Sequence, residues 1–165
     1  MKIAKKANER NEREDALRSA FVKVLLRSPL KDVNFLNKNR RISIAFFGER
    51  FSYSIIIKRE KDIGDWSRKR KEIYIDRQIA MRNGHPHTPS LKALAVHEAI
   101  EKFLVEKYGL KVDEEAHVVA TRKEKQYLKK IGGDWKNHQM LIHRKWLKLK
   151  PSKKKILRKK LKRKK

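Results

Sequence analysis

The chain has 165 residues, of which 46 are Lys or Arg and 19 are Asp or Glu, giving a formal net charge of +27. This length allows one compact domain but not comfortably two, and the charge predicts a polyanionic partner such as DNA, RNA or an anionic membrane surface. Cysteine is absent, which excludes disulfides and thiolate metal ligands, so any metal must be held by His, Asp or Glu.

The first half of the chain predicts one helix and three strands. A helix is predicted over residues 9–28, where apolar side chains recur at helical spacing before a Ser-Pro pair ends the pattern. Its apolar residues are Leu17, Phe21, Val24 and Leu25. Segments 41–48 and 50–58 are rich in β-branched and aromatic residues and predict a hairpin, and 71–76 predicts a third, short strand.

Two further helices are predicted after a loop rich in Gly and Pro. Thr88 and Pro89 form a capping residue and a first-turn proline, opening a helix that runs to Tyr108 and stops at Gly109. Asp113, followed by two glutamates, opens a second helix that reaches about residue 130. This order of elements predicts an α+β fold in which a small, mostly antiparallel sheet packs on helices.

The charge divides the chain into three regions. We expect an N-terminal amphipathic helix and linker over 1–38, an α+β core over 39–133, and a basic tail over 134–165. Residues 136–165 carry 15 Lys and Arg and no acidic residue, whereas the first 135 residues carry 31 basic and 19 acidic ones. Like charges at this density repel and cannot bury enough apolar surface, so the tail is expected to be disordered or frayed when free.

The helix that opens at Thr88 places His97 and Glu101 in the middle of its apolar face and Glu98 at the edge of that face. An ionised carboxylate there costs several kcal/mol unless it is paired or bound to a metal. Residues four apart have Cβ atoms about 5–6 Å apart, so both side chains can reach one ion. The next helix carries His117 in its own apolar stripe. If the two helices bring these residues together, the set of two His and one Glu suits catalytic zinc.

Other interpretations of the same residues stay open. His97 and Glu101 could form a buried ion pair without a metal. Glu101 could instead pair with a core lysine or arginine, for which the candidates include Arg40, Arg41 and Arg82. His117 could be a core histidine bonded to a backbone carbonyl. Rivals for the third ligand position lie in the preceding loop and are His85 and His87.

Residues around the ligand set have weaker roles. Glu124 follows His117 by two helical turns, about 10 Å, which is too far to share the ion and favours an ion pair or a contact behind a ligand. Glu114, three residues before His117, is predicted to orient its ring. His138 and His143 lie in the basic region and are expected at the surface or facing phosphate.

The sequence HEAIE at residues 97–101 resembles the HExxH helix of zincin-like metallopeptidases, with a Glu in place of the second His. The gluzincin branch of that family also uses two His and one Glu. The resemblance covers roughly residues 72–130 and implies a zincin-like fold with a third ligand on the following helix. The chain is also similar to small uncharacterised proteins of phage and bacterial genomes with an HE..E...AH pattern, which suggests a phage-encoded protein.

The zincin resemblance also implies roles for individual residues. Zinc would be bound by His97, Glu101 and His117, and Glu98 would be the general base of peptide hydrolysis. The strand EIYID, residues 72–76, would run beside the helix and align an extended protein substrate.

The basic tail predicts binding to DNA or RNA without sequence preference, because neutralising phosphates releases counterions. The residues expected to make these contacts are Lys153, Lys154, Lys155, Arg158, Lys159, Lys160, Lys162, Arg163, Lys164 and Lys165. The alternative is a non-enzymatic nucleic-acid-binding protein whose His/Glu cluster is a structural metal site or an ion pair. No apolar run could span a bilayer and no signal-peptide core is present, so we expect an intracellular protein, cytoplasmic or nucleoid-associated.

Overall fold

The structure is a computed structural model that describes residues 2–60, 62–82, 85–86 and 88–149. The lysines and arginines expected to bind nucleic acid between 153 and 165 lie outside these residues. So do the side chains of His85 and His87, the rival metal ligands. None of the described helices is both long and apolar enough to cross a membrane.

A five-stranded sheet forms the centre of the fold. Its strands are β1 (Leu30–Leu36), β2 (Arg41–Phe46), β3 (Glu49–Lys58), β4 (Gly64–Trp66) and β5 (Glu72–Asp76). They lie in the order β1-β2-β3-β5-β4, and every neighbouring pair is antiparallel except β3 and β5. The predicted α+β class, the β2–β3 hairpin and strand β5 are confirmed. Strands β1 and β4 are additional, and β1 places part of the expected N-terminal linker in the sheet.

The helices flank this sheet. They are α1 (Lys2–Arg27), α2 (Arg77–Ala80), α3 (Thr88–Tyr108), α4 (His117–Lys130) and α5 (Trp135–Leu149). A small ribbon of β6 (Met81–Arg82) and β7 (His85–Pro86) lies between α2 and α3, in the predicted loop. The bounds of α3 agree with the prediction. The predicted second helix is present as a π-helical turn, Val112–Ala116, that continues into α4.

Helix α3 is buried on nearly every side, because it packs against α4 on one side and against β4 and β5 on the other. A helix with one apolar face would expose the residues outside that face. Lys102 lies outside the apolar face predicted for α3 and is nevertheless fully buried. Its ammonium donates to the Ser67 carbonyl and the Glu106 carboxylate. The aromatic rings of Tyr53 and Trp66 are both 5.3 Å from it.

Helix α1 meets the core over its last turns. Leu25 is fully buried and Phe21 packs partly against the core. Leu17 and Val24, which share the apolar spacing that predicted this helix, are 71% and 50% exposed. The N-terminal part of the described helix extends past the core. At its C-terminal end, one side of the helix packs against the core and the other side is exposed.

A buried lysine of α4 holds the C-terminal end of α1. Lys123 Nζ donates to the carbonyls of Leu26 at 3.1 Å and Ser28 at 2.6 Å, and it lies 5.3 Å from the Phe46 ring. Cations at a helix C-terminus satisfy carbonyls that have no partner within the helix. Burial lowers the pKa of Lys123 to about 8.

Helix α5 occupies the first half of the predicted disordered tail, so that prediction is wrong as far as residue 149. The helix begins where Asp134 Oδ1 accepts the backbone N–H of Asn137 at 2.6 Å, an N-cap contact. His138 is buried, and Leu141 and Ile142 pack partly against the core. These three residues recur at helical spacing, so one side of this basic helix can pack against the core.

Candidate metal centre

Three side chains from α3 and α4 converge on one point. His97 Nε2 is 3.1 Å from His117 Nδ1 and 3.4 Å from Glu101 Oε2, and His117 Nδ1 is 3.0 Å from Glu101 Oε2. A tetrahedral zinc with bonds of about 2.0–2.1 Å holds its ligand atoms about 3.3 Å apart. This group of His97, Glu101 and His117 therefore has the size that one metal ion requires. The three predicted ligands are brought together.

The π-helical turn accounts for how His117 reaches α3. Gly109 ends α3 with a φ of 62°, a left-handed conformation that suits glycine at a helix C-terminus. The chain then winds through Val112–Ala116 with a wide turn, in which the Ala116 N–H bonds to the Lys111 carbonyl at 2.9 Å. This turn ends at Ala116, so His117, the first residue of α4, lies level with Glu101.

The Glu101 carboxylate is fixed on both oxygens. Oε2 faces the two histidines, and Oε1 accepts the Trp66 Nε1–H at 2.9 Å. Burial alone would raise the pKa of Glu101, but hydrogen bonds from His117, His97 and Trp66 outweigh it and lower the pKa to about 2. The carboxylate is therefore ionised at neutral pH, as a metal ligand must be. The sequence gives no signal for Trp66, because β4 is only three residues long.

The second nitrogen of His97 faces a buried carboxylate. His97 Nδ1 is 2.9 Å from Glu124 Oε2, and His138 Nε2 is 2.7 Å from Glu124 Oε1. An ionised carboxylate only accepts, so both histidines donate an N–H to Glu124. In neutral His97, the Nε2 lone pair then faces Glu101 and His117. Metal-binding histidines commonly donate their other N–H to a carboxylate in this way.

The partners of Glu124 bear on two sequence-based expectations. The ion pair predicted for Glu124 is present. The surface position expected for His138 is wrong, because His138 is 2% exposed and its Nδ1 lies 3.0 Å from Ser90 Oγ. Its spacing to Leu141 and Ile142 was the signal that could have identified it as an inward-facing residue.

His97 and the carboxylates beside it also form a stable arrangement without a metal. Burial lowers the pKa of His97, but hydrogen bonds to Glu101 and Glu124 more than offset this, and the pKa rises well above its ordinary value. Without a metal, His97 is thus a cation between two carboxylates, which is the ion-pair alternative. A metal at Nε2 would displace the proton, because a metal-binding histidine must be neutral there.

Glu98 is more deeply placed than the edge position predicted from the helical face. It is 7% exposed and its carboxylate lies against Gly64 of β4. Burial raises its pKa to about 8, against the opposing effect of His97. A carboxyl group that titrates near neutrality has the acidity expected of a general acid–base group.

Two side chains that were expected to contact the candidate ligands do not contact them. Glu114 does not orient His117: its carboxylate is 72% exposed and pairs with Lys111 at 3.4 Å. The wide π-helical turn is the reason, because residues three apart in it do not share a face. Arg41, a candidate partner of Glu101, is exposed and donates to Ser52 at 3.0 Å.

An open cavity of about 1080 Å³ lies beside the three ligand atoms. Its walls come from β4, α3, the start of α4 and α5, and His117 lies at its mouth with 54% of its side chain exposed. Strand β4 is at the edge of the sheet, whereas β5, the strand predicted to align a peptide, lies between β3 and β4. Of the two edge strands, β1 and β4, it is β4 that lines this cavity and could accept an added strand there.

No protein-family model matches the chain, and no curated protein or solved structure is significantly similar to it. The support for a metal centre comes from the geometry and ionisation of the chain's own side chains. Three observations favour it most: the spacing of the three candidate ligand atoms, the ionised state of Glu101, and the tautomer of His97 that Glu124 sets.

Proposed function

We propose that the protein binds one zinc ion through His97, Glu101 and His117 and hydrolyses peptide bonds in a zincin-like manner, with Glu98 as the general base. The observation that carries this proposal is the set of 3.0–3.4 Å separations among two imidazole nitrogens and one ionised carboxylate oxygen. Two His and one Glu beside an open cavity are typical of catalytic zinc, whereas structural zinc sites are closed by four protein ligands.

The surrounding side chains support a metal at this position. Glu124 accepts the Nδ1–H of His97, which makes Nε2 the free lone pair and raises its basicity. Trp66 occupies the second oxygen of Glu101, which favours a ligand that binds through one oxygen. When bound, zinc supplies Lewis acidity and lowers the pKa of a water molecule to about 7.

Glu98 would carry the proton. Its carboxylate lines the cavity beside the ligand set, where it would take a proton from the attacking water and deliver it to the leaving amine. With a pKa of about 8 in the absence of an ion, it is protonated at neutral pH, and a nearby dication would favour its ionised form. An extended polypeptide would lie along the edge of β4.

A second proposal concerns the basic C-terminal region, whose 15 basic and no acidic residues favour DNA or RNA as a partner. Proteins bound to nucleic acid would then be the substrates within reach. The competing function is a non-enzymatic nucleic-acid-binding protein in which the same three ligands form a structural metal site or the ion pair described above.

Metal analysis and proteolysis assays test the first proposal. Protein purified without chelators should contain about one zinc per chain, and His97→Ala should lose it. Glu98→Gln should keep the zinc and the fold but lose hydrolysis of unfolded substrates such as casein. Zinc-loaded protein that is inert on a diverse peptide library would favour the structural site, and protein with no bound transition metal would refute the centre.

A further inference from the structure

Helix α5 is connected to the proposed ligand His97 by a line of buried polar side chains. Ser90, Glu124 and His138 are 1%, 3% and 2% exposed. The Ser90 hydroxyl meets His138 Nδ1 at 3.0 Å, His138 Nε2 meets one oxygen of Glu124 at 2.7 Å, and the other oxygen meets His97 Nδ1 at 2.9 Å. The line thus crosses from α5 to both α3 and α4.

His138 is a principal attachment of α5 to the core. Among the side chains of α5 that the structure describes, residues 135–144, His138 alone is buried. Leu141 and Ile142 are half-buried, and Met140 is 42% exposed. Within residues 135–144, the two hydrogen bonds of His138 are therefore the polar contacts that join a buried side chain of α5 to the core.

The outer face of α5 forms one wall of the cavity beside the metal centre. Lys136, Gln139, Met140 and Arg144 line it. Gly64 and Asp65 of β4 line the same cavity. Undocking of α5 would therefore remove the charges of Lys136 and Arg144 from the cavity lining.

We infer that His138 is a positioning residue through which metal binding and the docking of α5 stabilise one another. If α5 undocks, Glu124 keeps a buried oxygen without its donor, which is costly, and the carboxylate is no longer held to accept the His97 N–H. If a metal fixes the His97 ring, Glu124 is held in the orientation that receives His138. Such a coupling is reciprocal, so each event favours the other by the same factor. The inference rests on the metal centre proposed above.

Two substitutions at His138 separate its two hydrogen bonds. In His138→Gln the amide nitrogen takes the place of Nε2 and keeps a donor toward Glu124. In His138→Asn the amide reaches the place of Nδ1 and keeps only the contact with Ser90. A residue that merely fills space would tolerate Asn and Gln alike, whereas a residue that acts through Glu124 requires Gln.

The test measures zinc affinity by competition with a chromophoric chelator, and hydrogen exchange of the backbone amides of Trp135–Leu149 with and without zinc. We expect zinc to slow exchange in the wild-type α5. His138→Asn should weaken zinc binding about tenfold and remove this effect, and His138→Gln should restore most of both. Ile42→Val, a mild change in the buried part of β2, should lower thermal stability without altering zinc affinity.

The possible failures are distinguishable. Equal zinc affinity in the wild type and His138→Asn, or exchange in α5 that does not respond to zinc, would overturn the coupling and leave the metal centre standing. A wild-type protein that binds no zinc would overturn the metal centre and the coupling together.

Discussion

The carboxylate of Glu98 lies directly against the α-carbon of Gly64: a Cβ added at Gly64 would overlap Oε1 of Glu98 and lie 2.7 Å from its Cδ. The carboxylate is the mobile end of a side chain, so Gly64→Ala should preserve the fold and push Glu98 aside. We expect this variant to keep its zinc and lose about 10²-fold in kcat, the effect of misplacing a catalytic group by about 1 Å. Zinc content and steady-state hydrolysis of an unfolded substrate measure the two outcomes.

A double-mutant cycle is the control for this prediction. In a Glu98→Ala background there is no carboxylate to displace, so the loss of thermal stability that Gly64→Ala causes in the wild type should disappear. If Gly64→Ala lowers the Tm equally in both backgrounds, Gly64 acts through the edge of β4 and not through Glu98.

Zinc should raise the thermal stability of the protein, because the three ligands meet only when α3 and α4 are packed. At about 100 times its Kd, a ligand stabilises the folded state by about 2.7 kcal/mol, which corresponds to roughly 5–10 °C in Tm for a chain of this size. Calorimetry should show this shift in the wild type and in His143→Ala, an exposed histidine of the same cavity. His117→Ala should abolish it. A full shift in His117→Ala would place the zinc elsewhere.

Replacing Lys123 should destabilise the junction of α1 and α4. Lys123→Met leaves the carbonyls of Leu26 and Ser28 without their donor, and we expect a loss of roughly 1–3 kcal/mol in the free energy of unfolding by urea. The exposed Lys130 of the same helix provides the control, since Lys130→Met should change stability by less than about 0.5 kcal/mol. Equal effects of the two substitutions would contradict a structural role for Lys123.

The lowered pKa of Lys123 also predicts a pH dependence. Its folded pKa is about 8 and its ordinary value is 10.5, so the unfolded chain binds more protons between these two values. The free energy of unfolding should therefore rise with pH across this window through Lys123. The stability difference between the wild type and Lys123→Met should widen from pH 8 to about pH 10. A difference that stays flat would show that burial does not depress this pKa.

Removing the C-terminal charges should weaken nucleic-acid binding in a salt-dependent way. Deletion of residues 150–165 removes 11 of the 15 basic residues between 136 and 165. The slope of log K against log salt should flatten by several units, at about 0.9 for each phosphate that the shortened chain no longer neutralises on duplex DNA. Fluorescence anisotropy at several salt concentrations measures the slope, and circular dichroism should show that the fold is kept. An unchanged slope would locate the binding surface on the folded domain.

The candidate ligand set could be predicted from sequence because its signals are local. Thr88 and Gly109 delimit α3, and the four-residue spacing of His97 and Glu101 requires only that α3 is a helix. The convergence of His117 on these two residues could only be proposed, since it depends on the π-helical turn, which has no distinct sequence signal.

The remaining parts of the site depend on contacts between distant segments. Strand β4 has three residues, too few for a periodic pattern, so neither Gly64 nor Trp66 could be placed beside α3. Lys102 is buried where the carbonyl of the distant Ser67 accepts a hydrogen bond from its ammonium, a contact that no helical pattern reveals. The charge of the C-terminal region concealed the helical spacing that turns His138 inward.

In the proposed function, the shortness of β4 would limit how long a peptide stays bound. In its antiparallel pairing with β5, residues whose backbone groups face β5 alternate with residues that face away, and Gly64 and Trp66 face away. The Trp66 N–H is already bonded to Asp65 Oδ1 at 2.7 Å. Within β4, Gly64 is thus the residue that offers both its N–H and its C=O to an incoming strand. A peptide whose main chain β4 holds at this one residue would have a short residence time, so fragments would dissociate quickly and bond cleavage would limit turnover.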